Sequence, residues 1–176
     1  MSIFLQPLQT VTLSSSTNSI NFTNIPQTFT DLKIEISARS DRAINSPSLG
    51  IKFNNDSASN YSKTVIYGNG GAGSYNSSNN NEFDGPSITG SSDTANTFSN
   101  SVVYIANYAN SNYKSIITDS VIENNSSTSG TYLLEMMAGL WRNTAAISSI
   151  NIFENNGNNL ISGTKFSLYG VLRSGI

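Results

Sequence analysis

The chain has 176 residues, of which 37% are hydrophobic and only 11% charged, with a formal net charge of −2. That length makes one domain with a real core, and the near-neutral balance excludes gripping nucleic acid or anionic lipid by charge alone. Cys and His are both absent, which removes disulfides, thiolate chemistry, and the usual general base and metal ligand at neutral pH.

Ser and Asn fill roughly a third of the chain, and 10% of residues are aromatic. That composition suits a folded chain with a neutral, hydrogen-bonding surface better than a disordered one. Residues 1–10 are expected to form an N-terminal arm or first strand, and residues 11–176 a β-sandwich domain. Residues 1–7 carry neither a basic region nor a long apolar stretch, so no signal peptide is expected. No window approaches the ~20 apolar residues of a membrane span, and sequons such as 21–23 are what an Asn/Ser-rich chain produces by chance.

Along the chain the dominant period is two. Val11 and Leu13 alternate with Thr, and Ile20 and Phe22 repeat this across a Ser/Asn turn. Leu32, Ile34, Ile36 and Ala38 alternate with Lys33, Glu35 and Ser37, the mark of a strand with one wet face. Short runs follow at 49–53, 65–67, 102–108 and 116–122. The run 132–141 is apolar and has good helix formers, but its flanking turns favour a strand. Residues 93–99 are the only other helix candidate. The segment 147–172 reads as a closing β-hairpin, with Ile150 and Ile152 on one arm and Phe166, Leu168 and Leu172 on the other. Gly157 permits its turn and Gly163 restarts the strand. Residues 69–96 are Gly-, Ser- and Asn-rich and are expected to be a long, low-complexity surface loop. Seven to nine strands at this spacing predict an all-β sandwich of jelly-roll type.

The motifs carry little chemistry. Gly68, Gly70 and Gly73 match a phosphate-binding spacing, but no helix follows, so a flexible loop is the better account. Ser111–Lys114 and Ser162–Lys165 match S-x-x-K in turn-to-strand contexts rather than on a helix. Residues 54–60 offer oxygen ligands for Ca²⁺ without the acidic density of an EF-hand, so they read as a surface turn. Glu35, Glu123, Glu135 and Glu154 are isolated, and nothing in the spacing pairs two of them for glycoside hydrolysis. Tyr75, Tyr104, Tyr108 and Tyr113 are candidate ligand-facing aromatics that could stack on sugar rings, although strand tyrosines more often pack their rings. Arg39, Asp41 and Arg42 form the most charged spot. They are balanced between pairing locally and meeting another subunit.

Several segments together resemble a known group. They are "NFTNIPQTFTDLKIEISARSDRA", "LGIKFNNDSASNYS", "VIYGNG", "LWRNTAAISSINIF" and "NNGNNLISGTKFSLYGV". They are similar to small tailed-bacteriophage virion proteins, which share an Ile-Pro-x-x-Tyr/Phe-Thr-Asp-Leu strand. That group also shares a Phe-Asn-x-Asp…Asn-Tyr turn and a closing Gly-Ser/Thr-x-Phe-x-Leu-Tyr-Gly. The likeness spans about two-thirds of the chain and leaves out residues 69–101. It implies a jelly-roll-like sandwich in a virion, no catalytic residue, no cofactor and no metal. The first expectation is a capsid decoration or cement protein bound to the major capsid protein and other virion proteins. Trimers are expected by fold analogy. The contacts would come from Ile3, Phe4, Leu5, Pro7, Arg39, Asp41 and Arg42. The alternative is a tail, baseplate or fibre component that touches the host surface or its glycans. A stand-alone carbohydrate-binding module ranks third. Neither nucleic acid nor membrane is expected as a partner.

Overall fold

The computed structural model describes residues 3–173. Among them are twelve β-strands: β1 (Ile3–Thr12), β2 (Ser19–Phe22), β3 (Asp31–Ala38), β4 (Ser48–Phe53), β5 (Tyr61–Gly68), β6 (Ala72–Asn80), β7 (Phe83–Ser87), β8 (Ser99–Ile105), β9 (Lys114–Ile122), β10 (Leu133–Trp141), β11 (Ile150–Glu154) and β12 (Lys165–Arg173). They form an eight-stranded sheet ordered β1-β12-β3-β8-β9-β10-β5-β6 and a four-stranded sheet ordered β2-β11-β4-β7. Every strand pair is antiparallel. The fold is therefore an all-β sandwich.

The period-two pattern explains the packing. Leu32, Ile34 and Ile36 of β3 and Phe166 and Leu168 of β12 face inward from the large sheet. They meet Ile51 and Phe53 of β4 and Ile150 and Ile152 of β11, and all are fully buried. Each such side chain contributes ~1.5–3 kcal/mol by leaving water. The wet face of β3 carries Lys33 and Glu35, paired at 2.8 Å.

The chain passes from sheet to sheet. Strands β1, β3, β8 and β12 lie side by side in the large sheet, and β2, β4, β7 and β11 make up the small one. The remaining four strands, β5, β6, β9 and β10, extend the large sheet on one side.

Two expectations are corrected here. The closing segment is not a hairpin, because β11 pairs with β2 and β4 while β12 pairs with β1 and β3. Residues 155–164 cross between the sheets, with Gly157 and Gly163 at positive φ as the turns require and Leu160 buried between them. The same alternation in β1 and β2 also belongs to two different sheets. Strands that face each other across a core alternate just as paired strands do, so periodicity cannot separate the two cases. Second, residues 69–96 are not one long loop but contain β6 and β7. The outermost strand β6 pairs with β5 on one side only. An edge strand is held by its main-chain ladder and needs no apolar side chains. Strand β7 is also an edge and tolerates Pro86 for that reason. The apolar run at 132–141 is a strand as expected, and residues 93–99 hold no helix.

Candidate functional site

The charged cluster turns inward. Arg39 is buried, and its guanidinium donates to the carbonyls of Asp93, Thr94 and Thr97 at 2.8–3.1 Å. It pins the turn before β8 and is not a surface contact, which corrects the expectation. Asp41 accepts from the backbone N–H and the side-chain amide of Asn159 at 2.8 and 3.0 Å. The backbone bond is the main cause that lowers its pKa. Arg42 reaches buried Glu154 at 3.9 Å. All three residues are used within the chain.

The tyrosines do not converge. Tyr108 is fully buried and donates its hydroxyl to the Pro26 carbonyl, so it faces no ligand. Tyr104 is half-buried and donates to Asp31 Oδ2 at 2.5 Å. Tyr113 is exposed just before β9, at the end of the sheet where Lys114 pairs with Trp141. Tyr75 is exposed on β6, opposite Val65. In the N-terminal group Phe4, Leu5 and Pro7 are exposed on the edge strand β1. Met1, Ser2 and the side chain of Ile3 lie outside the described residues. The Asn54–Asn60 turn spends its oxygens internally. Asn54 Oδ1 accepts from Ser148 and Ser149, and Asp56 accepts from Ala58, Asn60, Trp141 and Asn143.

Two surfaces converge instead on β5, β6 and β10, one on each side of the sheet. On the outside, the register sets Leu134 beside Val121, Met136 beside Ile66 and Asp119, and Ala138 beside Ile117. Leu134, Ile66, Ile117 and Met136 are each more than half exposed. They form an apolar surface continuous with a trough of about 710 Å³ lined by Ile66, Ala72, Leu134 and Met136. Asp119 lies within it and belongs to none of the ion pairs among the described residues. Contiguous exposed apolar area of this kind marks an interaction surface.

On the inside, the large sheet carries a polar belt. Ser101 and Ser120 hydroxyls lie 2.9 Å apart, Ser120 donates to the Ser87 carbonyl, and Ser87 N–H donates to Glu135 at 2.5 Å. Burial pushes the Glu135 carboxyl up, against the lowering effect of the Ser87 bonds. Beyond this belt opens a cleft of about 380 Å³, lined by Tyr67, Tyr75, Tyr132, Asn45, Asn69 and Glu135 among others. Tyr67 and Tyr75 meet edge to face, with centroids 6.1 Å apart at 62°. Lys63 sits 5.1 Å from the Tyr75 ring centre and pairs with Asp84 at 2.6 Å.

Of the cleft residues, Tyr75 and Glu135 stand out in the sequence. Glu135 as a lone acid inside an apolar run was the available signal. For the outer face, the signal was that same run's being apolar at both parities, which a strand with one wet face does not need.

No family model matches the chain, and no curated protein matches it.

Proposed function

We propose that this chain is a structural protein of a tailed-bacteriophage virion, and in the first instance a capsid decoration protein that binds the assembled shell. The observation that carries this is the uncovered apolar face of β9, β10 and β5. A strand that is apolar on both sides is built to be covered on both sides, and here the sandwich covers only one. The partner is a protein surface that is itself apolar and presents a Lys, Arg or backbone N–H to Asp119, the carboxylate within the face. The major capsid protein is the proposed partner, and repetition over a symmetric shell makes a modest interface sufficient.

The strand order supports the reading. Without β5, β6, β9 and β10, what remains is β1-β12-β3-β8 against β2-β11-β4-β7. That is the order of a jelly roll, two interlocked Greek keys, to which two strand pairs have been added. The additions widen one sheet and carry the apolar face. The charge-poor surface also suits repeated contacts without long-range repulsion. A tail, baseplate or fibre location is the second reading, and the tyrosine cleft is the observation that favours it.

The test is cryo-EM of particles that contain this chain, together with the variants Leu134→Lys and Met136→Lys. The expected result is density on the shell with the outer face of β10 at the contact, and loss of incorporation in both variants while the fold persists. Density confined to the tail, or full incorporation of both variants, overturns the proposal.

A further inference from the structure

We propose that the cleft between β5, β6, β10 and the 45–46 turn is a binding site for a neutral carbohydrate. The proposal is independent of where the chain sits in a virion and of whether it sits in one.

The rings come first. Tyr75 is 47% exposed, and Tyr67 and Tyr132 are partly buried beside it. A tyrosine offers an apolar ring for the C–H face of a pyranose and a hydroxyl for its rim. The same cleft is lined by groups that match sugar hydroxyls. The Asn45 and Asn69 amides both donate and accept, and the Glu135 carboxyl accepts. A volume of about 380 Å³ falls within the ~300–1,000 Å³ usual for small-ligand sites.

Charge narrows the class. The ammonium nearest the rings, that of Lys63, is already held by Asp84. Among the described residues that line the cleft there is no Lys or Arg to hold a phosphate or sulfate, and the polar groups of the lining rule against a lipid tail. A neutral polyhydroxylated ring satisfies both conditions.

The site is also built in advance. A Cβ at Gly73 would lie 2.5 Å from Tyr67 ring atoms, so that glycine makes room for the ring. Asn45 is held by Asp93 at 3.0 Å and Glu135 by Ser87. The carbonyl of Asn69 accepts from Gly130 N–H and the Ser129 hydroxyl, both at 2.9 Å, which ties the 129–130 turn to the β5–β6 turn. Preorganisation of this kind lowers the ordering cost of binding.

The experiment is calorimetric and NMR titration of the full chain with neutral mono- and oligosaccharides of glucose, galactose, mannose and N-acetylglucosamine. A parallel set carries sulfated and sialylated glycans. At least one neutral sugar is expected to bind, with chemical-shift changes centred on Tyr67, Tyr75 and Asn69. Oligosaccharides that bind more tightly than their monosaccharide identify a surface polysaccharide as the source, and equal affinity identifies a free sugar. Tyr75→Ala is expected to weaken binding by about tenfold or more, as loss of a central aromatic contact does. Gly73→Ala, on a strand that buries little, is expected to abolish it by displacing the Tyr67 ring. Tyr113→Ala, outside the cleft, leaves it unchanged. Binding of charged glycans alone, binding of none, or undiminished binding by folded Tyr75→Ala overturns the proposal.

Discussion

Strands β5 and β10 run side by side along their whole length, yet their two ends differ. At one end Tyr61 pairs with Trp141, and at the other Tyr67 pairs with Glu135. The Tyr61–Trp141 end is sealed. The two rings stack 6.3 Å apart at 19°, Phe53 of β4 closes over Trp141 at 5.4 Å, and all three are fully buried. The indole N–H donates to Asp56 at 2.8 Å, and the Tyr61 hydroxyl donates to the Asp56 carbonyl. At the Tyr67 end the rings are placed with equal care, but Tyr75 stays 47% exposed. The lesson is that an aromatic residue on a strand becomes core or binding surface according to what the opposite sheet supplies above it. Strand β4 lies over one end, and only the edge of the small sheet approaches the other.

The sharpest way to break the comparison is to cut both ends alike. Trp141→Ala removes the largest fully buried ring and one of the four donors to the Asp56 carboxylate. It is expected to cost ~3–5 kcal/mol, measured as a lowered denaturant midpoint with unchanged slope. If it costs under ~1 kcal/mol, the sealed end is not sealed and the contrast collapses.

Next in size is Asp56→Ala, at ~1–3 kcal/mol, because four donors converge on that carboxylate. Burial raises the Asp56 pKa, but the bonds from Asn60, Ala58, Trp141 and Asn143 together outweigh it and bring the value down to about 2. A folded pKa below the ordinary 3.8 gives stability that is present above pH ~4 and is lost as pH falls toward 2. Acid titration of the wild type should therefore show a loss in that window that Asp56→Ala lacks.

The open end titrates with the opposite sign. Burial raises Glu135 above its ordinary value, so the folded state holds that proton more tightly than the unfolded chain does. Its stabilising effect is full below the unfolded pKa and is lost as pH rises through the folded one. Glu135→Gln keeps an acceptor for Ser87 and removes the charge. It should flatten the decline on the alkaline side of the carboxylate range while leaving the Asp56 window intact. A variant that steepens the decline would mean that the cleft stabilises the carboxylate, contrary to the burial argument.

Much of the fold could be read in the sequence, and particular residues show where reading stopped. The alternation at Leu32–Ala38 and Lys114–Ile122 reports a buried face directly, so the sandwich follows from it. Alternation does not report which sheet a strand joins, which is why β11 and β12 were read as a hairpin. Strand β6 is invisible to hydrophobicity, since its ladder with β5 is made by backbone groups that Ser, Asn and Gly possess like any other residue. At the candidate site the failure has a different cause. Arg39 and Tyr108 belong to residue types that favour surfaces, but tertiary contacts with the 93–97 turn and with Pro26 bury them. Tyr67 and Tyr132 are brought together by turns at 69–71 and 129–130 that no local pattern encodes.

The smallest expected effect tests the comparison most directly. Tyr75 carries a ring chemically like that of Tyr61, but it is 47% exposed, packs edge to face on Tyr67, lies 5.1 Å from the Lys63 ammonium and accepts from it at 3.4 Å. An edge-to-face pair adds ~0.5–1.5 kcal/mol, and a half-exposed ring recovers much of its hydration when removed. Tyr75→Ala should therefore change stability by no more than ~1 kcal/mol, against several for Trp141→Ala, while it weakens sugar binding by about tenfold or more. A residue that costs the fold little and the ligand much is held for the ligand. If Tyr75→Ala instead destabilised the chain as Trp141→Ala does, both ends of the β5–β10 ladder would be core, and the cleft would be an unfilled gap rather than a site.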